Sequence, residues 1–357
     1  MIVFVLTLSV LILIHEFGHF LAARQLGIRV EKFALGFGPK ILSKKVGDTE
    51  YMLCAIPFGG FIKMAGDNNE ECKGRADEFL ARRPGHRAQV IFGGSLFNYI
   101  LAFFCLWFVY FLGYPRSTTT IGELVNGMPA QTAGLQAGDK VLEVDGQPVL
   151  FWNELTKKIY AKKGELLRLK VRRQAQEFEI ELTPQMKQVE TAWGKKVELG
   201  LIGIRQSDEV IKVRYGLGEA LVRGARELVQ MTVMTVVSIF YIVTGTMSFR
   251  DSVTGPLGIF FITSGAAQLG FSAVLQVAGI LSMSLAIFNM LPLPILDGGH
   301  MVLLGLERLR KRPLPVKVEE VINNIGLSFL IVLAIFIFGN DILRYGYWDR
   351  LLAMIGK

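Results

Sequence analysis

The first apolar stretch of the sequence contains a five-residue motif whose residue types and spacing can bind a metal ion, His15-Glu16-Phe17-Gly18-His19. In an α-helix, side chains four residues apart lie on one face, so the two imidazoles can bind the same zinc ion. Glu16 lies beside them without being needed as a ligand, and it can accept a proton from a water molecule at the metal. The motif therefore predicts a zinc hydrolase in which Glu16 is the general base.

The location of this motif strengthens the prediction. Ionisable side chains within a membrane helix are energetically costly and are retained mainly for function. Here three of them cluster within five residues of an apolar segment. The structural alternative is a buried hydrogen-bonded pair or a proton relay, and we favour metal catalysis because of the clustering.

A second segment, near the end of the chain, offers a third metal ligand. Residues 289 to 300 read Asn-Met-Leu-Pro-Leu-Pro-Ile-Leu-Asp-Gly-Gly-His. A catalytic zinc ion takes three protein ligands and leaves one position open, and a carboxylate from a second helix is a suitable third ligand. Asp-Gly is also a common end of a helix, so Asp297 alone would indicate only a turn. Together with the zinc motif it is the predicted third ligand, and the two prolines are expected to break the helix beside it.

The composition is that of an integral membrane protein. Hydrophobic residues make up 51% of the 357 residues, the chain has 25 Phe, and the mean hydropathy is +0.41. The net charge of +8 comes from Lys and Arg in the loops between apolar segments, and no nucleic-acid module is recognisable. Positive loops facing anionic lipid explain this charge better than a nucleic-acid partner does. The three cysteines have no CxxC spacing, and no disulfide framework is predicted.

The hydropathy of the chain predicts four transmembrane helices, each needing about 20 mostly apolar residues. They are residues 1 to 23, 89 to 113, 272 to 296 and the shorter 325 to 340. The loops at 24 to 88 and 297 to 324 are basic and are therefore predicted to be cytoplasmic. The N-terminus, residues 114 to 271 and the C-terminal tail at 341 to 357 then lie outside the cytoplasm.

The segment from 228 to 247 tests this topology, because it is uncharged for 20 residues and could also span a membrane. If it did, Asp297 would end on the face opposite to His15 and His19. We expect these three residues to meet. The segment, within the 207 to 271 region, is therefore predicted to be an amphipathic helix that lies along the outer interface or re-enters the membrane.

Two further regions have strand patterns. Residues 114 to 206 contain Pro129-Ala130 and Ala133-Gly134-Leu135-Gln136-Ala137-Gly138-Asp139, which resemble a PDZ domain of the bacterial protease type. The alternating residues 167 to 172 and 178 to 182 are typical of half-buried strands, and residues 198 to 205 offer the last strand. In the first basic loop, residues 51 to 64 indicate two short strands around a Pro and a Gly pair, which we expect to form a sheet that dips into the membrane.

These motifs together resemble the site-2 protease family (peptidase M50), and within it the bacterial RseP-type intramembrane zinc proteases with a single PDZ domain. The resemblance implies that His15, His19 and Asp297 bind zinc, that Glu16 is the base and that Asn289 holds the substrate backbone. The second span of relatives often contains Gly-Pro-x-x-Asn. Here Gly94-Ser95-Leu96-Phe97-Asn98 keeps the Gly and the Asn but lacks the Pro.

The fold class implied is a multi-pass α-helical membrane protein of the bacterial inner membrane, with four spans, a membrane-dipping sheet and one extracytoplasmic PDZ domain. Its partners would be single-pass membrane proteins already cut by an upstream site-1 protease, such as anti-sigma factors or remnant signal peptides. A substrate helix must unwind before cleavage, and a strand could bind the unwound segment by β-addition. That strand comprises Ile56, Pro57, Phe58, Gly59, Gly60 and Phe61.

Two other functional classes remain open. One is a membrane PDZ scaffold without catalytic activity, and the other is a metal transporter that uses His15, His19 and Asp297 as a transport site. Glu16 disfavours both, because neither needs a base beside the metal.

Overall fold

The computed structural model describes residues 1–190, 196–312 and 314–344, so the predicted tail lies outside the described residues from 345 onward. The helices in this part of the chain are α1 (Ile2–Gln25), α2 (Pro84–Leu112), α3 (Pro129–Thr132), α4 (Trp152–Ala161), α5 (Leu217–Val243), α6 (Phe249–Ser252), α7 (Pro256–Leu269), α8 (Phe271–Asn289), α9 (Asp297–Arg310) and α10 (Val316–Arg344). The strands are β1 (Val30–Val46), β2 (Thr49–Met64), β3 (Tyr114–Ser117), β4 (Ile121–Leu124), β5 (Lys140–Val144), β6 (Gln147–Pro148), β7 (Leu167–Arg173), β8 (Gln176–Leu182), β9 (Gln185–Glu190), β10 (Lys196–Leu201), β11 (Ile204–Gln206) and β12 (Val210–Val213).

The chain forms two compact units. Of the described residues, a helical unit contains those in 1–109, 218–239 and 248–344, and a PDZ-like unit contains those in 110–217 and 240–247. Five helices of the described chain are long and apolar enough to cross a membrane: α1, α2, α5, α8 and α10. Four of these overlap the predicted spans, and α5 is the fifth. The number of helices that cross the membrane stays a prediction.

Helix α5 begins eleven residues before the predicted interfacial segment and packs along α2. A Cβ atom at Gly224 would lie 2.9 Å from the backbone nitrogen of Trp107, so the two helices touch there. Two turns further along α5, the Thr232 hydroxyl lies 2.9 Å from the Tyr99 hydroxyl. The two helices therefore run antiparallel over this stretch, and the first half of α5 packs against α2 in the helical unit.

Helix α8 ends at Asn289, seven residues before the predicted end of its span. Residues 290 to 296 form an irregular connection, because Pro292 and Pro294 cannot donate the backbone hydrogen bonds that a continuing helix needs. Ile295 adopts a φ angle of 76°, a left-handed conformation that is strained for a β-branched residue. Asp297 is consequently the first residue of a new helix, α9, and not the last residue of α8.

The first loop contains a larger sheet than the two short strands predicted. Lys32 pairs with both Lys63 and Glu50, and residues 50 to 53 pair with both halves of β1. Each of the two long strands therefore doubles back on itself, β1 around Gly36 and Gly38. The result is a sheet of four segments in which residues 32 to 35 pair in parallel with residues 50 to 53, and the two outer pairings are antiparallel. Residues 60 to 64 lie at one edge of this sheet, beside residues 30 to 35.

The PDZ-like unit has a four-stranded antiparallel sheet in the order β6-β5-β7-β8. Alternate residues of β7 face inward, and Leu167, Leu169 and Val171 are fully buried against Leu155 and other aliphatic residues of α4 and β5. The strands predicted at 167 to 172 and 178 to 182 are confirmed. The predicted last strand, at 198 to 205, is divided into β10 and β11, because residues 202 and 203 belong to neither strand.

Candidate zinc site

Helix α1 presents the two histidines of the motif on one buried face. The Nε2 atoms of His15 and His19 are 3.2 Å apart, and the two rings are nearly perpendicular, with an interplanar angle of 89°. Asp297, at the start of α9, places Oδ2 3.3 Å from Nε2 of His15 and 3.7 Å from Nε2 of His19. Within the described part of the chain, this is the one group of three possible ligand atoms from His, Cys, Asp or Glu side chains that lie within 4.8 Å of one another.

The distances fit a zinc ion. Tetrahedral zinc with metal–ligand bonds of about 2.0 to 2.1 Å separates its ligand atoms by about 3.3 Å. The three distances measured here lie around that value. Oδ2 of Asp297 is also buried and accepts no hydrogen bond from the residues that the structure describes. A buried carboxylate oxygen without a donor is costly unless a cation compensates it, so the three side chains could hold one metal ion.

The position of Asp297 depends on the start and the end of α9. Gly298 and Gly299 pack directly on the backbone of residues 290 to 294, within the irregular connection. A Cβ atom at either glycine would collide with that backbone. At the other end of the helix, Glu307 forms an ion pair with Arg87 of α2, and both side chains are largely buried. These contacts fix α9, and with it Asp297, against the rest of the site.

Helix α2 forms the floor of the site. A Cβ atom at Gly94 would lie 2.6 Å from Cε1 of His19 and 2.7 Å from Cε1 of His15, so only a glycine fits beneath the two rings. One residue earlier, Gly93 lies directly against the backbone of Gly18, which brings the two helices into close contact. No role was assigned to α2 from the sequence. The signal that could have indicated one is the pair Gly94 and Asn98, which match the Gly and the Asn of the Gly-Pro-x-x-Asn motif.

His19 is oriented by the backbone of α2. Its Nδ1 atom donates a hydrogen bond to the carbonyl oxygen of Val90 at 2.9 Å. A metal-binding histidine commonly donates its other N–H to such an acceptor, which fixes the tautomer and turns the remaining nitrogen towards the metal. The bond leaves Nε2 of His19 facing His15 and Asp297. Val90 could not be identified from sequence, because a backbone acceptor has no characteristic residue type.

The predicted base lies next to the sheet. A Cβ atom at Gly60 would lie 3.5 Å from Cγ of Glu16, which places this part of β2 beside the base. Further along α1, the Ser9 hydroxyl donates a hydrogen bond to the carbonyl of Pro57 at 2.7 Å. Ser9 lies six residues before His15, about 9 Å along the helix axis. Of the predicted substrate-binding strand, Gly60 is therefore beside the base, whereas Pro57 is more than a turn away.

The other predicted substrate-binding residues lie at different distances from the metal ligands. Asn289, the last residue of α8, places Nδ2 3.2 Å from Nε2 of His15, so its amide faces the candidate metal position. Phe61 stacks on Phe37 with a centroid distance of 6.3 Å, and Gly59 lies beneath the same Phe37 ring. Ile56 is half exposed. Phe58 lies in β2 with these residues.

Two buried histidines and a partly buried aspartate, with a Glu next to the first histidine on an apolar helix, define a zinc hydrolase of the membrane-protein class. Comparison with known proteins places the chain within that class. It belongs to peptidase family M50, whose family model matches residues 3–333. The chain is therefore a zinc metalloprotease with several apolar helices.

Several relatives align over almost the whole chain. A protein of Agrobacterium fabrum, Atu1380, whose name marks it as a candidate zinc metalloprotease, is 33% identical over 95% of this chain and 94% of its own length. The zinc metalloprotease RasP of Geobacillus kaustophilus is 28% identical over 96% of this chain and 97% of its own length. Among solved structures, the PDZ domain of the Listeria innocua SdrC-like protein Lin2157 is 26% identical, covering 26% of this chain and 96% of that one, with a TM-score of 0.21.

Proposed function

We propose that this protein cleaves transmembrane segments of single-pass membrane proteins at a zinc ion held by His15, His19 and Asp297. The observation that carries the proposal is the convergence of these three ligand atoms from α1 and α9, with Glu16 on the same helix as the two histidines. Because the two histidines and Glu16 lie in the apolar helix α1, a membrane-embedded peptide could reach such a site without leaving the bilayer.

The chemistry divides between the metal and the protein. Zinc, when bound, polarises a peptide carbonyl and makes water more acidic. Glu16 accepts a proton from the water molecule as its oxygen attacks the carbonyl carbon. It then delivers that proton to the departing amine nitrogen as the C–N bond breaks. The Asn289 amide lies 3.2 Å from Nε2 of His15, and this proximity supports a role as hydrogen-bond donor to the substrate backbone.

The edge of the sheet supports a route for presenting the substrate. A transmembrane helix has its backbone hydrogen bonds closed, so it must unwind before a peptide bond can be attacked. Residues 60 to 64 pair with β1 on one side, and no described strand pairs with their other side. An unwound substrate segment could add to this free edge beside Glu16, and the new backbone hydrogen bonds would replace those that it lost.

The PDZ-like unit supports capture of cut substrates. A groove of about 270 Å³ runs between α4 and residues 201 to 205, with an apolar lining that includes Met128 and Ile159, while Lys187 and Arg205 contribute positive charge. This combination suits a peptide that ends in an apolar residue with a free carboxylate, the product of a prior cut by a site-1 protease. Deletion of residues 121 to 205 tests this: lost cleavage supports capture, and cleavage of intact substrates would instead indicate a size filter.

The orientation and location also belong to this proposal. The basic loops around residues 24 to 88 and 297 to 324 are proposed to face the cytoplasm of a bacterium, with the PDZ-like unit and both termini outside the inner membrane. Substrates would be anti-sigma factors or remnant signal peptides. An inactive scaffold or a metal transporter would leave the base Glu16 without a role.

Glu16→Gln in the purified full chain tests the proposed function. We expect zinc content to be unchanged and cleavage of a single-span reporter to fall by about 10²- to 10⁴-fold, the usual contribution of a general base. His15→Ala and Asp297→Ala are the matched ligand variants, which should lose both zinc and cleavage. A Glu16→Gln enzyme that still cleaves at the wild-type rate would exclude the proposed mechanism.

A further inference from the structure

Asn98 of α2 lies beside the metal site, although neither the zinc motif nor the third-ligand segment includes it. The residue is fully buried. Its side-chain nitrogen, as placed, is 3.4 Å from Nδ1 of His15, and its Oδ1 atom has no hydrogen-bond partner among the described residues. Its backbone carbonyl accepts a 2.7 Å hydrogen bond from the hydroxyl of Ser282 on α8. Asn98 therefore contacts both α1 and α8 at the level of the metal ligands.

The chemistry of His15 decides which atom of the amide should face it. Nε2 of His15 points towards His19 and Asp297, so this nitrogen is the one available to a metal. A neutral imidazole that binds a metal through Nε2 carries its hydrogen on Nδ1 and must donate it to an acceptor. An amide nitrogen cannot accept that hydrogen, whereas an amide oxygen can.

The orientation of the Asn98 amide can be reversed without moving any other atom. The oxygen and nitrogen of an Asn side chain exchange places by rotation about one bond, and the hydrogen-bond network decides between them. In the present orientation, the buried Oδ1 of Asn98 has no donor. Its NH2 group faces Nδ1 of His15, which must itself donate a hydrogen when a metal is bound to Nε2. The reversed orientation gives the amide oxygen the Nδ1 hydrogen of His15 and moves the NH2 group to the position where the oxygen has no donor.

We propose that Asn98 is a positioning residue for the metal site, whose Oδ1 accepts the Nδ1 hydrogen of His15. The bond holds the ring in the tautomer and at the angle that zinc binding through Nε2 requires. His19 has the corresponding bond to the Val90 carbonyl, so α2 orients both histidines. The carbonyl of Gly94 is a second acceptor near His15, but Asn98 is the acceptor that a substitution can remove. The proposal rests on the ligand set proposed above.

Two substitutions in the full-length protein separate this role from a packing role. Asn98→Leu has a similar volume and no acceptor, and we expect zinc affinity to fall by about 10- to 100-fold, the usual effect of losing such a partner. Asn98→Asp keeps an acceptor, so we expect affinity within a few-fold of wild type. Affinity is measured by competition with a chromophoric chelator, and the visible spectrum of the Co²⁺-substituted protein should change in Asn98→Leu and be retained in Asn98→Asp.

Ser282→Ala is the matched control, because it removes a hydrogen bond to the backbone of the same residue and leaves the amide in place. We expect it to bind zinc with nearly wild-type affinity. Wild-type affinity in Asn98→Leu would overturn the proposal. So would loss of zinc by a folded Asn98→Asp protein, a result that remains decisive if the Leu variant does not fold. A wild-type protein that binds zinc through His15 but cleaves no reporter would overturn the proposed function and leave this inference intact.

Discussion

The helical unit and the PDZ-like unit are held together in different ways. Around the metal site, backbones touch at Gly18 and Gly93, and Gly94 lies directly beneath the two histidine rings. In the PDZ-like unit, aliphatic side chains such as Leu169 fill a core between a sheet and a helix. A cavity in such a core reduces stability, whereas an added atom between two backbones must displace one of them. The comparison predicts that small changes abolish function in the first unit and reduce only stability in the second.

The largest effect is expected for Gly94→Ala. The new Cβ atom would lie 2.6 and 2.7 Å from ring carbons of His19 and His15, so the rings or α2 must move away from the metal position. A displacement of about 1 Å at a catalytic group can cost about 10²-fold in rate. We therefore expect at least that loss of reporter cleavage together with reduced zinc content.

Gly85→Ala is the control for this substitution, because it lies in the same helix and a Cβ atom there would meet nothing within 4 Å. It should keep both zinc and cleavage. Full zinc content and full activity in Gly94→Ala would show that α2 and the histidine rings can move apart without loss of function. The metal site would then be no more sensitive to small substitutions than the core of the PDZ-like unit.

The next largest effect is expected for Glu307→Gln, at the far end of the helix that begins with Asp297. The substitution leaves Arg87 largely buried without its carboxylate, and breaking such a pair costs about 3 to 5 kcal/mol. Thermal unfolding of the full chain measures the loss, and a fall in zinc affinity would show that the pair also positions Asp297. In Arg87→Met/Glu307→Leu, which removes both charges, stability should return. Equal losses in the single and double variants would contradict this explanation.

In the PDZ-like unit, Leu169→Ala should reduce stability without altering the metal site. Leu169 is fully buried in β7, and removing a Leu side chain from a core costs about 2 to 5 kcal/mol. Hydrogen–deuterium exchange should show faster exchange in β7 and β8, with zinc content unchanged. Leu166→Ala is the control, because this side chain is 57% exposed. Loss of zinc in Leu169→Ala would mean that the two units are not independent in stability.

The same contrast explains how much of the site was readable from sequence. The spacing of His15 and His19 within one helix, and the prolines before Asp297, are local features, so the ligand atoms that the structure brings together were predicted from residue type and distance along the chain. Gly94, Val90 and Asn98 were not assigned roles. Their roles depend on which face of α2 packs against α1, and that choice depends on contacts between residues far apart in the sequence.

The sheet of β1 and β2 and the fifth apolar helix, α5, likewise depend on contacts between residues far apart in the sequence, which the sequence did not predict. Gly36 and Gly38, around which β1 doubles back, can be recognised in the sequence as residues that favour a turn. The pairing of the first half of β1 with both halves of β2 joins residues far apart in the chain, so it could not be read from the sequence. Alternating strands of the PDZ-like unit were predicted, because each buries one face against its own core. Hydropathy alone does not determine the packing of α5, since a segment of that composition can lie flat, re-enter or span.

The smallest effect is expected for an exposed carboxylate of the PDZ-like unit, Glu209. Hydrogen bonds from the hydroxyls of Thr120 and Thr118, at 2.6 and 2.8 Å, lower the pKa of Glu209 below its usual value of 4.5. A pKa that is lower in the folded state contributes stability above pH 4.5, and this contribution is lost as the pH falls through the folded-state value. Glu209→Gln should therefore exchange hydrogen slightly faster than wild type in β3 and β12 at pH 7, and the difference should vanish well below pH 4. A difference that persists at low pH would show that the amide disturbs packing rather than charge.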